Sequence, residues 1–388
     1  MLRPNCPVYL DYQATTPCDP RVLATMLPWF TENFANPASV EHILGRAAEA
    51  AVGEAREAVA RLIGAAGSEI VFTSGATESN NLAIKGAARF ARAMADPRRR
   101  VITVATEHKC VLESVKDLAD EGFEAVILPV GADGLLDPAA LEAALAEPTL
   151  LVSVMAVNNE TGVIQDVPAL AAIARAKGAL FHSDAAQAAG KIPIDVQAWG
   201  VDLLSLSGHK VYGPKGIGAL FVRRRPRVRL APLLSGGGQE RGLRSGTLPA
   251  PLIVGFGEAA RLALSEAGDE QARIAVLRDR LLARLSAAIP GIALNGSARA
   301  RIGGNLNLTF PEARAADLMA AIPDLCVSTG SACSSASIEP SYVLRAMGVG
   351  EAAAARTLRI GIGRFTSAAD IDFAAAALTA AHEAAQAA

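Results

Sequence analysis

One lysine follows a short apolar stretch that has the composition of a buried strand. Residues 203–207 (Leu-Leu-Ser-Leu-Ser) precede Gly208, His209 and Lys210, and a Gly-Pro turn comes soon after. A lysine that leaves a buried strand lies beside the core, where burial disfavours its charge. Uncharged lysine is the usual nucleophile for holding an aldehyde as a Schiff base. A solvated loop lysine explains this stretch alone equally well, so the rest of the chain has to decide.

A second stretch has the pattern of an anion site. The predicted strand 70–73 is followed by residues 74–77 (Ser-Gly-Ala-Thr) and then by a helix predicted over 82–92. Free backbone N–H groups at a helix N-terminus attract phosphate, and the Thr77 hydroxyl can add a hydrogen bond. An ordinary capped helix start explains the stretch equally well. The two common nucleotide-binding motifs, Walker A and G-x-G-x-x-G after a strand, are absent from the chain.

Strands and helices alternate through residues 101–223, which predicts an α/β fold with a mainly parallel sheet between helices. In such sheets, ligands bind beyond the carboxyl ends of the strands. Polar residues that follow five separate strands are therefore expected at one edge of the sheet. They are Thr77, His108, Asn159, Asp184 with Gln187, and Lys210.

The chemistry of this set suits a flat, phosphorylated, aldehyde-bearing pyridine. Lys210 would bind the aldehyde, and Asp184 would pair with the ring nitrogen and keep the ring an electron sink. His108 could stack on the ring face, although a histidine at a helix end is an ordinary structural feature. His182 is expected to be structural.

The remaining part of the chain predicts a smaller α+β domain. A long helix is expected from about residue 251 to 289, with a domain boundary at the composition change around 267–269. The large domain is assigned to residues 15–265, and the small domain to residues 1–14 and 266–388. In the small domain, Arg359 lies on a predicted strand and is a candidate for binding a substrate carboxylate through its planar guanidinium.

A single thiol lies in a stretch of small residues in this second domain. Residues 329–337 contain no charged or large side chain and predict a mobile loop with Cys333 at its middle. An unreactive surface thiol is the alternative interpretation of Cys333. Cys326 has apolar neighbours and is expected in the core.

Composition excludes several classes of function. The net charge of −2 argues against binding to nucleic acid or to an anionic membrane. Five cysteines without a C-x-x-C pair argue against a disulfide framework and a structural zinc site. Neither a signal peptide nor an apolar run of about 18 residues is evident, so we expect a protein of the reducing cytoplasm.

The glycine-rich, arginine-containing stretch 235–249 is expected to form an interface loop or part of the anion site.

Seven stretches together resemble one family and span almost the whole chain. They are residues 9–17 (YLDYQATTP), 73–81 (TSGATESNN), 107–109 (EHK), 157–162 (VNNETG), 207–214 (SGHKVYGP), 244–247 (RSGT) and 330–333 (GSAC). The chain resembles the cysteine desulfurases of the NifS/IscS type, in the class V branch of the fold-type I pyridoxal phosphate enzymes. The segment from 331 to 341 is similar to the long-loop group, which supplies iron–sulfur cluster assembly.

The resemblance implies a role for each matching residue. Lys210 carries pyridoxal 5'-phosphate, and His108 stacks on it and moves protons. Asp184 binds the ring nitrogen and Gln187 the ring hydroxyl. The implied phosphate ligands are Ala76, Thr77, Ser207, His209 and, from the other subunit of a homodimer, Thr247. Asn159 is implied in binding both cofactor and substrate, with Arg359 and possible help from Asn36 at the substrate carboxylate. Cys333 is the implied nucleophile.

The implied reaction converts L-cysteine to L-alanine and leaves the sulfur on Cys333 as a persulfide. An acceptor protein such as an iron–sulfur scaffold then takes the sulfur, or the sulfur serves other thio-cofactors or tRNA thiolation. No resident metal is expected, although Cys333 could transiently contact a nascent cluster. The chain ends soon after its last predicted helix, whereas scaffold-docking members usually continue with a partly aromatic tail. This ending argues against scaffold docking in the usual manner, but it does not bear on sulfur abstraction.

Two alternatives remain open from the sequence. One is another class V enzyme, a selenocysteine lyase or an aminotransferase, which would not depend on Cys333. The other is a catalytically silent interaction protein in sulfur traffic, against which the intact set of Lys210, Asp184 and His108 argues.

Overall fold

The computed structural model describes residues 7–330 and 341–387 of the chain. Its strands are β1 (Val8–Tyr9), β2 (Ile70–Thr73), β3 (Arg100–Val104), β4 (Glu124–Leu128), β5 (Thr149–Ser153), β6 (Leu180–Asp184), β7 (Leu203–Ser207), β8 (Gly218–Val222), β9 (Ala293–Leu294), β10 (Asn305–Thr309), β11 (Leu325–Cys326) and β12 (Thr357–Gly361). Its α-helices are α1 (Pro20–Met26), α2 (Pro28–Thr31), α3 (Ile43–Leu62), α4 (Ala76–Ala93), α5 (Lys109–Asp117), α6 (Pro138–Ala144), α7 (Val167–Ala176), α8 (Val196–Trp199), α9 (Ala250–Ala288), α10 (Ala315–Ala321), α11 (Tyr342–Ala346), α12 (Glu351–Ala354) and α13 (Ala368–Ala387).

Seven strands form the large sheet in the order β2-β8-β7-β6-β5-β3-β4. Only β8 runs antiparallel to its neighbours, so β2 and β7 point the same way as the other four strands. The predicted α/β fold with a mainly parallel, mixed sheet is therefore confirmed. The carboxyl ends of β2, β3, β5, β6 and β7 all reach one edge of this sheet.

Apolar residues cover both faces of the large sheet, as its near-continuous strand hydrophobicity predicts. Along β3, Ile102 and Val104 belong to one core cluster and Val101 belongs to the other. The alternation follows from the two-residue period of a strand. The strands are thereby held between layers of helices, and the site at their ends is built on a rigid support.

A smaller antiparallel sheet, β12-β10-β9, and the parallel pair β1-β11 form the second unit with their own apolar cluster. Helix α9 joins the two units: Ile253 and Phe256 pack in the large core, and Ile274 and Leu281 pack in the small one. The helix passes through residues 267–269 without a break. The composition change predicted as a boundary thus lies inside a continuous helix, and the domain limits stay a prediction.

Candidate active site

A cavity of about 460 Å³ lies beyond the carboxyl ends of the large-sheet strands. Residues from both sheets line it. Ten residues singled out from the sequence are among them: Ala76, Thr77, His108, Asn159, Asp184, Gln187, Ser207, His209, Lys210 and Arg359. The predicted convergence at one sheet edge is therefore what the fold produces.

Lys210 ends a short 3₁₀ turn, Gly208–Lys210, that directly follows β7. Its Nζ donates hydrogen bonds to the carbonyl oxygens of Gln13 at 2.6 Å and Ala14 at 2.7 Å. Both acceptors belong to the N-terminal segment, which crosses the cavity wall nearly two hundred residues away in sequence. This segment orients the amine toward the cavity, a contact that the sequence pattern around Lys210 does not reveal.

The turn between β2 and α4 forms the predicted anion cradle. Helix α4 begins at Ala76, six residues earlier than expected, so the helix N-terminus itself borders the cavity. The first N–H groups of a helix have no partner within the helix and favour an anion. Gly75 has a φ of +155°, and a Cβ on Gly218 would lie only 2.6 Å from the Gly75 Cα. The cradle therefore depends on two glycines in close contact.

His209 lies on the same side of the cavity as this cradle. Its Nδ1 is 3.0 Å from Thr15 Oγ1. Burial, together with the charges of Lys210 and Lys215, lowers the pKa of His209 to about 4. A neutral imidazole beside the buried Ser207 can offer a hydrogen bond to a phosphate oxygen without adding charge.

Asp184 ends β6 and is buried, with one carboxylate oxygen held on each side. Oδ1 accepts from the Ala186 N–H at 2.9 Å, and Oδ2 accepts from Asn80 Nδ2 at 2.7 Å. These two donors fix the plane of the carboxylate. A fixed, buried carboxylate suits a protonated ring nitrogen as its partner.

His108 is the N-cap of α5, and its Nδ1 accepts from the Cys110 N–H. Burial lowers the pKa of His108; the nearby Asp184 opposes this effect, while Lys210 and Lys109 add to it. The ring therefore stays neutral near pH 7. His182, in contrast, lies in the sheet with Ser153 and Ser205 on its two nitrogens at 2.8 and 3.0 Å, which confirms its structural role.

Gln187 is buried and both ends of its amide are engaged. Nε2 donates to the Gln13 carbonyl oxygen at 2.8 Å, and Oε1 accepts from Lys191 Nζ at 2.7 Å. The Nε2 group carries a second hydrogen, which is the one that could reach a ligand hydroxyl oxygen.

Arg359 extends from β12 of the small sheet into the cavity and is 1% exposed. Its Nη2 lies 2.7 Å from Asp11 Oδ1, and its Nη1 donates to the Asn159 carbonyl oxygen at 3.1 Å. Within the described ranges, Arg359 Nε and Asn159 Oδ1 are buried without a hydrogen-bond partner. Buried polar groups normally have partners, so these two atoms point to a polar ligand such as an amino-acid carboxylate.

Three predicted site residues are not brought to this cavity by the described structure. Asn36 and Thr247 are exposed and do not line it. Cys333 and the loop predicted around it lie outside the described residues from 331 to 340. Cys326, expected in the core, is half-buried at the end of β11.

Sequence reasoning missed several residues of the site. Gln13 and Asp11 belong to the family-like stretch 9–17, and Asn80 belongs to the stretch 73–81, but neither pattern assigns these residues to the site. Cys110 also lines the cavity, and its residue type alone does not place it there. Their positions offer a signal. Asn80 and Cys110 lie within three residues of the predicted site residues Thr77 and His108, and Asp11 and Gln13 lie in the family-like stretch 9–17.

The residues present fit pyridoxal 5'-phosphate. The cavity offers a helix N-terminus for a phosphate, an amine for an aldehyde and a fixed carboxylate for a ring nitrogen. The unpartnered polar atoms of Asn159 and Arg359 lie on residues of the same cavity. Within residues 7–330 and 341–387, no group of three or more acidic, histidine or cysteine side chains could hold a metal ion.

Comparison with known proteins gives similarity over nearly the whole chain. The profile of the aminotransferase class-V family matches residues 8–373. The cysteine desulfurase IscS of Rickettsia africae is 55% identical over 368 residues, which cover 95% of this chain and 89% of the relative. IscS of Rickettsia felis is 54% identical over 371 residues, covering 96% of this chain and 90% of the relative.

Solved structures agree with this result. A NifS-like protein superposes with a TM-score of 0.88 at 36% identity, and the match covers 97% of this chain and 98% of that one. A structure described as SspA in complex with cysteine has a TM-score of 0.82 at 40% identity and covers 92% and 99% of the two chains. In the described part of this chain, no helix has the length and apolar composition to cross a membrane.

Proposed function

This chain belongs to the aminotransferase class-V family and is a cysteine desulfurase, and we propose that it transfers the sulfur of L-cysteine to Cys333 and releases L-alanine. The observation that carries the proposal is the convergence of Lys210, Asp184 and His108 with Arg359, the proposed carboxylate ligand, on one cavity. This combination suits a reaction on an amino acid. It provides an amine, a fixed carboxylate and a neutral base, and beside them lies a guanidinium nitrogen without a hydrogen-bond partner.

The family depends on pyridoxal 5'-phosphate, which we propose as the cofactor of this chain. When bound, this group supplies a conjugated ring that withdraws electrons from the substrate carbon. Lys210 would hold its aldehyde, Asp184 its ring nitrogen and Gln187 its hydroxyl oxygen. Its phosphate would lie on the α4 N-terminus between Ala76, Thr77, Ser207 and His209.

Arg359 and Asn159 would bind the carboxylate of L-cysteine and so place its Cα beside His108. His108 is neutral because of burial and would move protons beside that carbon. The Cβ–S bond of the substrate breaks as a new S–S bond forms at Cys333. One cysteine and one thiol are thereby converted into one alanine and one persulfide, and no external oxidant is needed. The role of Cys333 rests on its place in the family-like stretch 330–333.

We also propose a homodimer, in which Thr247 would complete the phosphate site of the partner and Asn36 would border a substrate site. Thr247 is exposed and outside its own cavity. Supporting this, residues 23–44 expose seven large apolar side chains, among them Leu27, Phe30 and Phe34 at 56, 54 and 68%. Such a concentration of exposed apolar surface is typical of a protein interface.

The persulfide would pass to a thiol of an acceptor protein, such as the scaffold on which iron–sulfur clusters are assembled. We place this reaction in the cytoplasm, where thiols stay reduced. Both the proposed nucleophile and Cys110 in the cavity would have to remain thiols.

One incubation tests the proposal. Purified protein loaded with pyridoxal 5'-phosphate is mixed with L-cysteine, and alanine and a persulfide on Cys333 are measured together. Both should appear in equal amounts in the first turnover. The Cys333→Ala variant should keep the visible absorbance of the bound cofactor and lose sulfide release, whereas the Cys18→Ala control should keep both. Sustained desulfuration by Cys333→Ala would contradict the nucleophile assignment, and alanine without any persulfide would favour a lyase.

A further inference from the structure

Two hydrogen-bond donors face one nitrogen of His108. The Cys110 N–H donates to His108 Nδ1 at 3.2 Å as the capping bond of α5. The Cys110 Sγ lies 3.0 Å from the same nitrogen. A neutral histidine carries its proton on only one ring nitrogen, and the nitrogen that accepts must be the other one. The backbone bond therefore already favours the form of His108 with its proton on Nε2.

The direction of the thiol hydrogen follows from a third residue. Asn80 Nδ2 donates to Cys110 Sγ at 3.1 Å and to Asp184 Oδ2 at 2.7 Å. Because the sulfur accepts from Asn80 and is also hydrogen-bonded by the Thr77 side chain, its own hydrogen is available for His108 Nδ1. Burial, reinforced by the charge of Asp184, raises the pKa of the Cys110 thiol to about 12. Cys110 thus keeps its hydrogen near neutral pH.

We propose that Cys110 is a positioning residue that holds His108 in the form protonated on Nε2 and links it, through Asn80, to Asp184. The inference deepens the proposed function, since it names Nε2 as the protonated, proton-donating atom of His108 in that site. A proton on Nδ1 would lose the bond from the Cys110 N–H and would compete with Asn80 Nδ2 for the weakly accepting sulfur. The thiol therefore opposes formation of the imidazolium, and it leaves Nε2–H as the donor on the opposite edge of the ring.

The charged groups around His108 have opposite effects on its pKa. Asp184 on β6 favours the imidazolium, and Lys210 after β7 and Lys109 on α5 disfavour it. The Cys110 thiol adds an uncharged contribution on the Nδ1 side. A net hydrogen bond is worth about 0.5–1.5 kcal/mol, so its loss should raise the affinity of His108 for a proton roughly two- to tenfold.

The test uses full-length protein with ¹⁵N-labelled histidine, both with bound pyridoxal 5'-phosphate and without it. The chain has five histidines, and His108→Gln identifies the signal of His108. In wild type, Nδ1 should show the chemical shift of an unprotonated nitrogen and Nε2 that of a protonated one between pH 6 and 8. The Cys110→Ala variant should raise the pKa of His108 by about 0.3–1 unit. The Cys110→Ser variant keeps an O–H donor and should restore the wild-type value.

The same variants should shift the acidic limb of the pH profile of kcat/KM for L-cysteine in the same order. The Cys18→Ala variant, which removes a thiol outside the cavity, should change neither measurement. An Nδ1-protonated His108 in wild type would overturn the proposal, and so would an unchanged His108 titration in Cys110→Ala. If Cys110→Ala does not fold, a Cys110→Ser variant with a shifted tautomer would overturn it equally.

The nitrogen chemical shifts do not depend on turnover. The experiments can therefore refute the sulfur transfer to Cys333 and the positioning role of Cys110 independently of each other. Absence of persulfide with the expected tautomer would refute the sulfur chemistry alone. Persulfide formation with the opposite tautomer would refute the role of Cys110 alone.

Discussion

The guanidinium of Arg359 and the carboxylate of Asp11 form an ion pair, with Nη2 2.7 Å from Oδ1, although 348 positions separate them in sequence. The arginine side chain is 1% exposed and the aspartate side chain 16%. The pair joins β12 of the small sheet to the N-terminal segment that also holds Lys210. It therefore fixes the proposed carboxylate ligand relative to the proposed cofactor anchor.

Replacing Asp11 by asparagine should loosen Arg359 without removing it. We expect the KM for L-cysteine to rise about 5- to 10-fold with little change in kcat, because positioning affects substrate binding more than the chemical step. Steady-state kinetics of Asp11→Asn measure this. The matched control is Asp117→Asn, which breaks an exposed pair with Lys85 worth at most about 1 kcal/mol. A fall in kcat at constant KM would contradict the assigned role of Arg359.

Lys210→Ala should abolish the covalent attachment of pyridoxal 5'-phosphate. In wild type, borohydride reduction followed by mass spectrometry should place the cofactor on Lys210. The variant should show no adduct, and its desulfuration should fall at least ~1000-fold, since a covalent step is lost. Lys177→Ala, at an exposed position, should behave as wild type. An adduct on another lysine in wild type would refute the assignment.

Gly218→Ala should weaken phosphate binding. Its Cβ would lie 2.6 Å from both the Gly75 Cα and the Leu206 carbonyl oxygen. Both are backbone atoms, so relieving the clash would require a backbone shift. The displaced start of α4 should raise the dissociation constant for pyridoxal 5'-phosphate about tenfold or more, as fluorescence titration can measure.

The control for this substitution is Gly53→Ala on helix α3, where an added Cβ meets no atom within 4 Å. It should leave cofactor binding unchanged and stabilise the helix by up to about 1 kcal/mol. Equal cofactor affinity in both variants would show that the cradle is not formed by this contact.

Stability should decrease on acidification because of His182. Burial lowers its pKa to about 3, so in the folded state it stays neutral, whereas in the unfolded state it binds a proton below about pH 6.5. The stabilisation is complete above pH 6.5 and is lost as the pH falls toward 3, at about 1.4 kcal/mol per pH unit. Between pH 7 and 5, His182 should cost about 2 kcal/mol.

Urea unfolding at several pH values measures this slope in wild type and His182→Gln. The variant should be less stable at pH 7, because Ser153 and Ser205 lose partners, but its stability should depend less steeply on pH. His209, whose pKa is also lowered to about 4, should account for much of the remaining slope. An equally steep dependence in the variant would show that His182 does not titrate in the unfolding equilibrium.

The sequence by itself determined the order of strands and helices and the residues that follow each strand. Both are local properties: hydrophobic periodicity marks the strand, and a parallel sheet brings all carboxyl ends to one edge. Thr77, His108, Asp184 and Lys210 could therefore be assigned to one site before any coordinates. Family-like stretches added the expected roles, including that of Cys333.

Tertiary structure alone decided what holds these residues in place. Gln13 meets Lys210 across 197 positions and Asn80 meets Asp184 across 104, and no local pattern specifies such pairs, because they result from how separate elements pack. The same applies to the start of α4 at Ala76, which the close contact of Gly75 with Gly218 favours over the later start expected from periodicity. The chemistry of the site could thus be predicted from residue type and position, whereas the orientation of its side chains depended on packing between distant parts of the chain.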